Sequence, residues 1–167
     1  IQLAHAFGAK VFCTVGNEEK ARACRDVGAD VAINYNTQDF VEVVMEHTNK
    51  QGVNILLDMV GGSYIQRNLQ SLAPDGRLVQ IAFLQPSKVE VDWVSLMAKR
   101  LTFTGSTLRP RTAADKAQMA KELKQNVWPL LEAGTVKPVI HQVFELAQAN
   151  LAHALMESSV HIGKIML

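Results

Sequence analysis

Apolar residues fall along the chain in short runs of two alternating kinds. Lys10 to Val15 (KVFCTV) is β-branched and apolar, the composition of a buried strand. Ala21, Cys24 and Val27 then recur at helical spacing. Asn17 stands ready to cap that helix, Glu18 and Glu19 fall in its first turn, and Gly28 ends it. Val31 to Ile33 reads as a short strand. Thr37 is placed to cap a helix with Phe40, Val41, Val44 and Met45 on one face. Val53 to Val60 (VNILLDMV) is apolar on both faces, as a central parallel strand should be. Gly61-Gly62 leads into a helix through Leu69, Pro74-Asp75-Gly76 into a turn, and Leu78 to Ala82 into a further strand.

The rhythm continues less regularly. Trp93 to Ala98 predicts a short helix and Leu101 to Gly105 a strand. Thr112 and Asp115 have capping-box spacing ahead of a helix reaching about Leu131, and Pro129 should kink or shorten its end. Val139 to Phe144 reads as extended, Leu146 to Glu157 as helical and Lys164 to Leu167 as a last strand. Ile1 to Gly8 reads as the middle of a helix with no cap, so the chain is expected to be part of a longer one. Strand and helix in alternation predict an α/β protein with a doubly wound, mostly parallel sheet.

Composition narrows the function classes. The 167 residues are 48% hydrophobic and 20% charged, ordinary for a globular domain. A net charge of +1 gives no electrostatic reason to expect nucleic acid or an anionic membrane as partner. No apolar run approaches the roughly 20 residues that cross a bilayer. Cys13 and Cys24 are the only cysteines and read as two buried free thiols in a reducing, cytoplasmic setting. The five histidines are scattered beside no obvious nucleophile, and no metal-ligand spacing occurs, so neither catalytic residues nor metal ligands are assigned.

In open parallel sheets, ligands bind at the carboxyl ends of the strands. The strand through Val15 runs into Gly16, where an NAD-specific domain carries an acidic residue for the ribose hydroxyls. Glycine leaves room for a 2′-phosphate and Lys20 could pair with it, which favours NADPH; a solvated lysine on an amphipathic helix is the plainer alternative. Glu18 and Glu19 weaken the electrostatic case. Tyr35 comes after the next strand, placed to pack on adenine, to bond a phosphate, or simply to lie half-buried at the surface. Gly61 and Gly62 permit close backbone approach to a ligand, or only a tight turn. Asp58 is the one charge in its apolar run and needs a partner; it reads as structural. Ile81, Ala82, Phe83 and Leu84 could wall a nicotinamide pocket, and Ser106, Thr107 and Leu108 offer hydroxyls and backbone groups, though core packing is the default explanation of both sets. The glycine-rich turn that cradles a pyrophosphate is absent from these residues.

Gly28-Ala29-Asp30 through Ile33-Asn34-Tyr35, then Asp58-Met59-Val60-Gly61-Gly62, then Asp75-Gly76-Arg77-Leu78-Val79, resemble medium-chain dehydrogenase/reductases. Thr104 to Arg109 (TGSTLR) and His161 to Ile165 (HIGKI) are similar to the zinc-independent, zeta-crystallin-like quinone oxidoreductase branch. The resemblance covers nearly all 167 residues. It implies that residues 1–167 are a Rossmann-like nucleotide-binding domain with a C-terminal return segment, lacking its first strand and glycine-rich loop. A GroES-like catalytic domain is expected outside this chain. It implies that Gly16, Lys20 and Tyr35 surround a 2′-phosphate, with Gly62, Ile81 to Leu84 and Ser106 to Leu108 along the rest of NADPH. It further implies hydride transfer to a quinone or enone, and a homodimer paired through the strand Leu101 to Gly105. The alternatives kept open are a zinc-dependent alcohol dehydrogenase fragment and a non-catalytic nucleotide-binding or dimerisation module.

Overall fold

The computed structural model describes residues 1–167, which divide into two compact units, Ile1–Asn34 with Met119–Leu167, and Tyr35–Gln118. The expected α/β architecture with parallel strands is present: seven strands form three separate sheets, every pair in them parallel.

In the first unit, α1 (Gln2–Ala6) is followed by β1 (Phe12–Val15), α2 (Glu18–Asp26) and β2 (Val31–Asn34). Asn17 caps α2 as predicted, its side-chain oxygen accepting from the Lys20 amide at 2.8 Å. Asp30 explains why its position is acidic. Its carboxylate accepts from Val11 N at 2.7 Å, while Asp30 N and Val31 N both donate to Val11 O. The starts of β1 and β2 are thereby stitched together, and the two strands pair in register from Phe12↔Val31 to Val15↔Asn34. Just before, Gly28 sits at φ +102° with His5 so close that a Cβ would lie 2.8 Å from its ring. The return segment of this unit holds α7 (Trp128–Glu132), β6 (Ile140–Val143), a 3₁₀ turn at Leu146–Gln148, α8 (Ala149–Ser158) and β7 (Lys164–Met166), with β6 and β7 paired.

The second unit runs α3 (Phe40–His47), β3 (Val53–Asp58), α4 (Tyr64–Ser71), β4 (Leu72–Gln80), α5 (Val94–Ala98) and β5 (Thr102–Gly105), in strand order β3-β4-β5. Its core is Leu69 from α4, Leu72 and Leu78 from β4, and Leu101, with Val53, Leu56, Val91, Leu96 and Phe103 packed around them. Lys99 closes the end of α4: its ammonium donates to the carbonyls of Gln70 and Leu72 at 2.8 Å each. The helix α6 (Ala113–Asn126) opens with the predicted capping box, Thr112 Oγ1 accepting from Asp115 N at 3.1 Å and Asp115 Oδ2 accepting from Thr112 N at 3.2 Å.

Several expectations are corrected. The cap of α3 is Asp39, not Thr37: its carboxylate accepts from Val41 N at 2.7 Å and Glu42 N at 3.3 Å. The reason is tertiary. Arg67 on α4 bonds Asp39 at 3.1 Å and lies over the rings of Phe40 and Tyr64, so the pair of helices selects Asp39. β3 is not a central strand covered on both faces. It forms one edge of its sheet, with Ile55 and Leu57 71% and 65% exposed. Pro74-Asp75-Gly76 is not a turn ahead of a strand from Leu78 to Ala82 but a bulge within β4, where the register jumps from Val53↔Leu72 to Ile55↔Arg77. The positive φ there falls on Asp75 (+61°) rather than on Gly76, and Asp75 is held by paired bonds to Arg100 at 2.9 and 2.7 Å. Pro129 does not kink a long helix. The helix stops at Asn126 and the proline sits in the first turn of α7, where its missing N–H costs nothing. Cys13 and Cys24 are half-buried rather than buried.

Burial raises the pKa of the Asp39 carboxyl, but the Val41 and Glu42 amides and Arg67 together outweigh it and hold the group below its ordinary value. A carboxyl lowered by folding stabilises the protein above its unfolded pKa of about 3.9, and that contribution is lost as pH falls through the folded value. Asp39→Ala is expected to cost about 1 kcal/mol at pH 7 and clearly less below pH about 3, against a few tenths for Thr37→Ala, read from urea unfolding at both pH values.

Candidate functional site

The carboxyl ends of β3, β4 and β5 lie side by side, because all three strands are parallel and in register: Asp58 pairs with Gln80, and Gln80 with Gly105. The residues just beyond each strand are therefore gathered at one edge of the sheet.

The turn after β3 is built on Asp58, which is 3% exposed. Its carboxylate accepts from Val60 N at 2.6 Å, from Gly61 N at 3.1 Å and from Asn68 Nδ2 at 3.0 Å. The expected partner is thus no cation but three N–H donors, enough to keep a buried carboxylate satisfied. Gly61 and Gly62 come next, at φ +68° and +55°. A Cβ on Gly61 would meet Phe83 Cδ1 at 2.4 Å, and one on Gly62 would meet Gln85 Oε1 at 2.3 Å. The two glycines are required because the segment after β4 lies directly on them. That segment is laced to the turn: Ile81 N donates to Asp58 O, Leu84 N to Met59 O, and Gln85 N to Val60 O, at 2.8, 3.1 and 2.8 Å.

Beyond β4 and β5 opens a cleft of about 850 Å³. Of the predicted residues, Ile81, Ala82, Phe83, Ser106 and Thr107 line it together. Leu84 lies on the Met59 turn and Leu108 is exposed nearby in the chain; neither lines the cleft, nor does Gly62. Six further residues belong to it that were not among the predicted site residues: Gln80, Phe103, Thr104, Gly105, Pro110 and Arg111. Gln80 is the most informative. It is 6% exposed, its Nε2 donates to Ala82 O at 2.7 Å, and its Oε1 is buried without a partner. The available signal was a polar residue closing an apolar strand, in line with Asp58 on the strand beside it.

Gly16 and Lys20 belong to the first unit. Gly16 is the residue after β1 and half-buried, and Lys20 lies in the first turn of α2. The Lys20 ammonium donates to the Ser159 carbonyl at the end of α8, and Glu18 is taken up by Arg25. Tyr35 belongs to the second unit, just after β2, and is 46% exposed. The histidines are less scattered than expected, since His141 and His161 meet with ring centroids 6.3 Å apart. No group of three or more His, Cys, Asp or Glu side chains is arranged to hold a metal ion. A separate hollow of about 680 Å³ in the first unit, lined by charges of both signs (Arg25, Asp26, Asp30 and Lys137 among them), contains no predicted site residue. No helix is long and apolar enough to cross a membrane.

A profile of the family described as zinc-binding dehydrogenase matches residues 1–131. This chain belongs to that family. It corresponds to the C-terminal, Rossmann-like domain of medium-chain dehydrogenase/reductases, as the resemblance implied. A 2-haloacrylate reductase of a Burkholderia species is 32% identical over 169 residues, covering 98% of this chain and 49% of that protein. The quinone oxidoreductase of Rattus norvegicus is 28% identical over 167 residues, covering 99% and 49%. A crystal structure of 2-haloacrylate reductase superposes with a TM-score of 0.84 at 30% identity, covering 100% of this chain and 52% of that one. The chain therefore spans about half the length of these reductases, and 7% of a highly reducing polyketide synthase of Arthrinium phaeospermum that is 31% identical over the whole chain. The family's relatives include oxidoreductases, and its nucleotide-binding fold is the frame in which the strand-end cleft sits.

Two substitutions test the turn. Asp58→Ala leaves the Val60 and Gly61 amides without their acceptor and is expected to cost about 1–3 kcal/mol. Gly61→Ala forces a positive φ and a clash with Phe83, and should cost more than about 1 kcal/mol. Urea denaturation of each variant reads both, and an unchanged midpoint would remove the turn from its role in the cleft.

Proposed function

We propose that this chain is the cofactor-binding portion of an NADPH-dependent quinone oxidoreductase, which transfers a hydride to a quinone or enone. The observation that carries the reading is the strand-end cleft, with an orphaned buried acceptor in its wall.

The residues present fit a nicotinamide nucleotide. Gly61 and Gly62 let the segment that carries Ile81 to Phe83 pack close on the turn after β3, which holds that wall in place. Ile81, Ala82 and Phe83 give an apolar wall against which a flat ring excludes water. Ser106 and Thr107 add hydroxyl and amide groups. Gln80 Oε1 needs a donor, and a carboxamide N–H supplies one. The bound reduced nicotinamide provides the hydride; the protein's part is position and electrostatics. Such a division of labour requires no catalytic acid from this chain. Arg111 places a cation at the cleft, suited to the negative charge that grows on a quinone or enone oxygen during reduction. The relatives' names, one for a quinone and one for a 2-haloacrylate, agree in denoting electron-poor acceptors.

The preference for the phosphorylated cofactor rests on Gly16 and Lys20. The strand β1 ends without an acidic residue, and Lys20 has two ammonium protons beyond the one given to Ser159. Fluorescence titration with NADPH and NADH, using Trp93 and Trp128, tests this. Saturation by NADPH at about tenfold lower concentration is expected, with the difference lost in Lys20→Met. Equal affinities would overturn the NADPH preference, and no binding of either would overturn the reading itself.

Dimerisation through the strand Leu101 to Gly105 belongs to the same proposal. β5 is an edge of its sheet, so its outer row of backbone groups is open to a second copy. Thr104→Lys sets like charges against each other across such a seam. It should shift the protein from dimer to monomer in sedimentation velocity, and a dimer unaffected by it would place the interface elsewhere.

A further inference from the structure

Arg111 is the one ionisable side chain in the lining of the strand-end cleft. Backbone bonds fix its place. Ser106 N donates to Gln80 O at 3.0 Å, which ties the segment leaving β5 to the end of β4. A turn follows, closed by Arg111 N on Leu108 O at 3.2 Å, and Pro110 within it has a fixed φ. Thr112 then caps α6, so Arg111 stands directly before the start of a helix. No carboxylate of the chain pairs with Arg111 and no acceptor of the chain bonds its guanidinium. Asp115, the acid nearest in sequence, is spent on Thr112, accepting from its amide and its hydroxyl at 3.2 and 2.9 Å. Lys116 adds a second cation to the same turn, its ammonium donating to Arg109 O at 3.2 Å.

The rest of the lining is apolar or carries hydroxyls, and Phe83 and Phe103 supply flat surfaces. A neutral quinone offers such a site single acceptor oxygens and leaves the charge of Arg111 unanswered. A carboxylate answers the charge and takes two parallel N–H bonds from the planar guanidinium. A cleft of about 850 Å³ also leaves room for a second flat molecule beside a nicotinamide ring. We infer that the acceptor bound in this cleft is a flat, conjugated carboxylate, with its acid group on Arg111 and its apolar body against Phe83 and Phe103. The inference rests on the reading of the cleft as the cofactor and acceptor site. It narrows that acceptor from any quinone or enone to one that carries an acid group, and makes Arg111 the residue that determines this specificity.

Trp93 lies 6.0 Å from Phe103, ring centre to ring centre, so its emission reports on the cleft. Trp128→Phe leaves Trp93 as the sole tryptophan. The chain carrying it is titrated at pH 7 with trans-cinnamate and, separately, with cinnamamide, two probes alike in shape and conjugation that differ in charge. Cinnamate is expected to saturate at about tenfold lower concentration than the amide. Arg111→Met should bring it to the concentration that the amide needs. Arg109→Met, two residues away and outside the lining, should keep the preference. No saturation by cinnamate, equal saturation by the two probes, a preference that survives Arg111→Met, or one lost equally in Arg109→Met would each overturn the inference. If Trp128→Phe does not fold, calorimetric titration of the natural chain with the same two probes decides. A parallel NADPH titration separates the two readings. NADPH binding without a preference for cinnamate removes the acid-bearing acceptor alone. A preference for cinnamate without NADPH binding removes the cofactor reading and leaves the carboxylate site on Arg111.

Discussion

The buried Asp58 carboxylate is the interaction on which the cleft depends. It carries charge in a place nine-tenths and more removed from water, which is tolerable only because three N–H donors point at it. Two of those donors are the backbone amides of the turn it controls. The carboxylate therefore fixes the path of Val60 and Gly61, and that path in turn accepts the amides of Leu84 and Gln85 from the next strand's exit. The Ile81 to Phe83 wall of the cleft is held to this turn through a chain of backbone bonds beginning at a single side chain. The two glycines are what such close layering demands, since any Cβ would occupy space already filled by Phe83 and Gln85.

The parallel arrangement supplies the rest. Antiparallel strands would send alternate exits to opposite edges; three parallel strands in register send Asp58, Gln80 and Gly105 to the same edge. Polar residues there are then close without being near in sequence. Gln80 illustrates what this costs. Its amide nitrogen ties back to Ala82, but its oxygen is left buried and unpaired, a loss of about 1–3 kcal/mol that a fold would not retain for packing alone. In the proposed site a ligand donor in the cleft would offset it, which gives the residue a reason to be there that packing does not.

Much of this was legible from local pattern. Alternation of strand and helix set the fold class, Asn17 and the Thr112–Asp115 pair announced their helices, and reading the residues after each strand found Ile81, Ala82, Phe83, Ser106 and Thr107. The misses share one cause, that long-range contacts choose between locally equivalent options. Thr37 and Asp39 are both capping types two residues apart, and only Arg67, far along the chain, decides for Asp39. Asp75 takes the left-handed conformation beside a glycine that was free to take it, because Arg100 and the Lys99 carbonyl hold Asp75 there, while Gly76 is needed where a Cβ would press on Ala73 O at 2.7 Å. Gln80 was passed over because a lone glutamine in a strand usually faces solvent. Its burial depends on β5 and the segment beyond it.

In the proposed NADPH reading, the cofactor preference would be carried by a surface lysine, Lys20. Its ammonium is directed at the carbonyl of Ser159. A neutral carbonyl is a modest partner for an ammonium, whereas a phosphate offers more charge and more acceptor oxygens, so the exchange or sharing of partners favours the phosphate. Glu18, the obvious competitor in the same turn, is occupied by Arg25 and has its negative charge partly offset. The first turn of α2 adds a positive dipole end beside Gly16, where an acidic side chain would otherwise repel the group. Selectivity in such a site does not need a dedicated pocket. It needs one missing carboxylate, one pre-aimed lysine and a neighbour's charge already engaged by another residue.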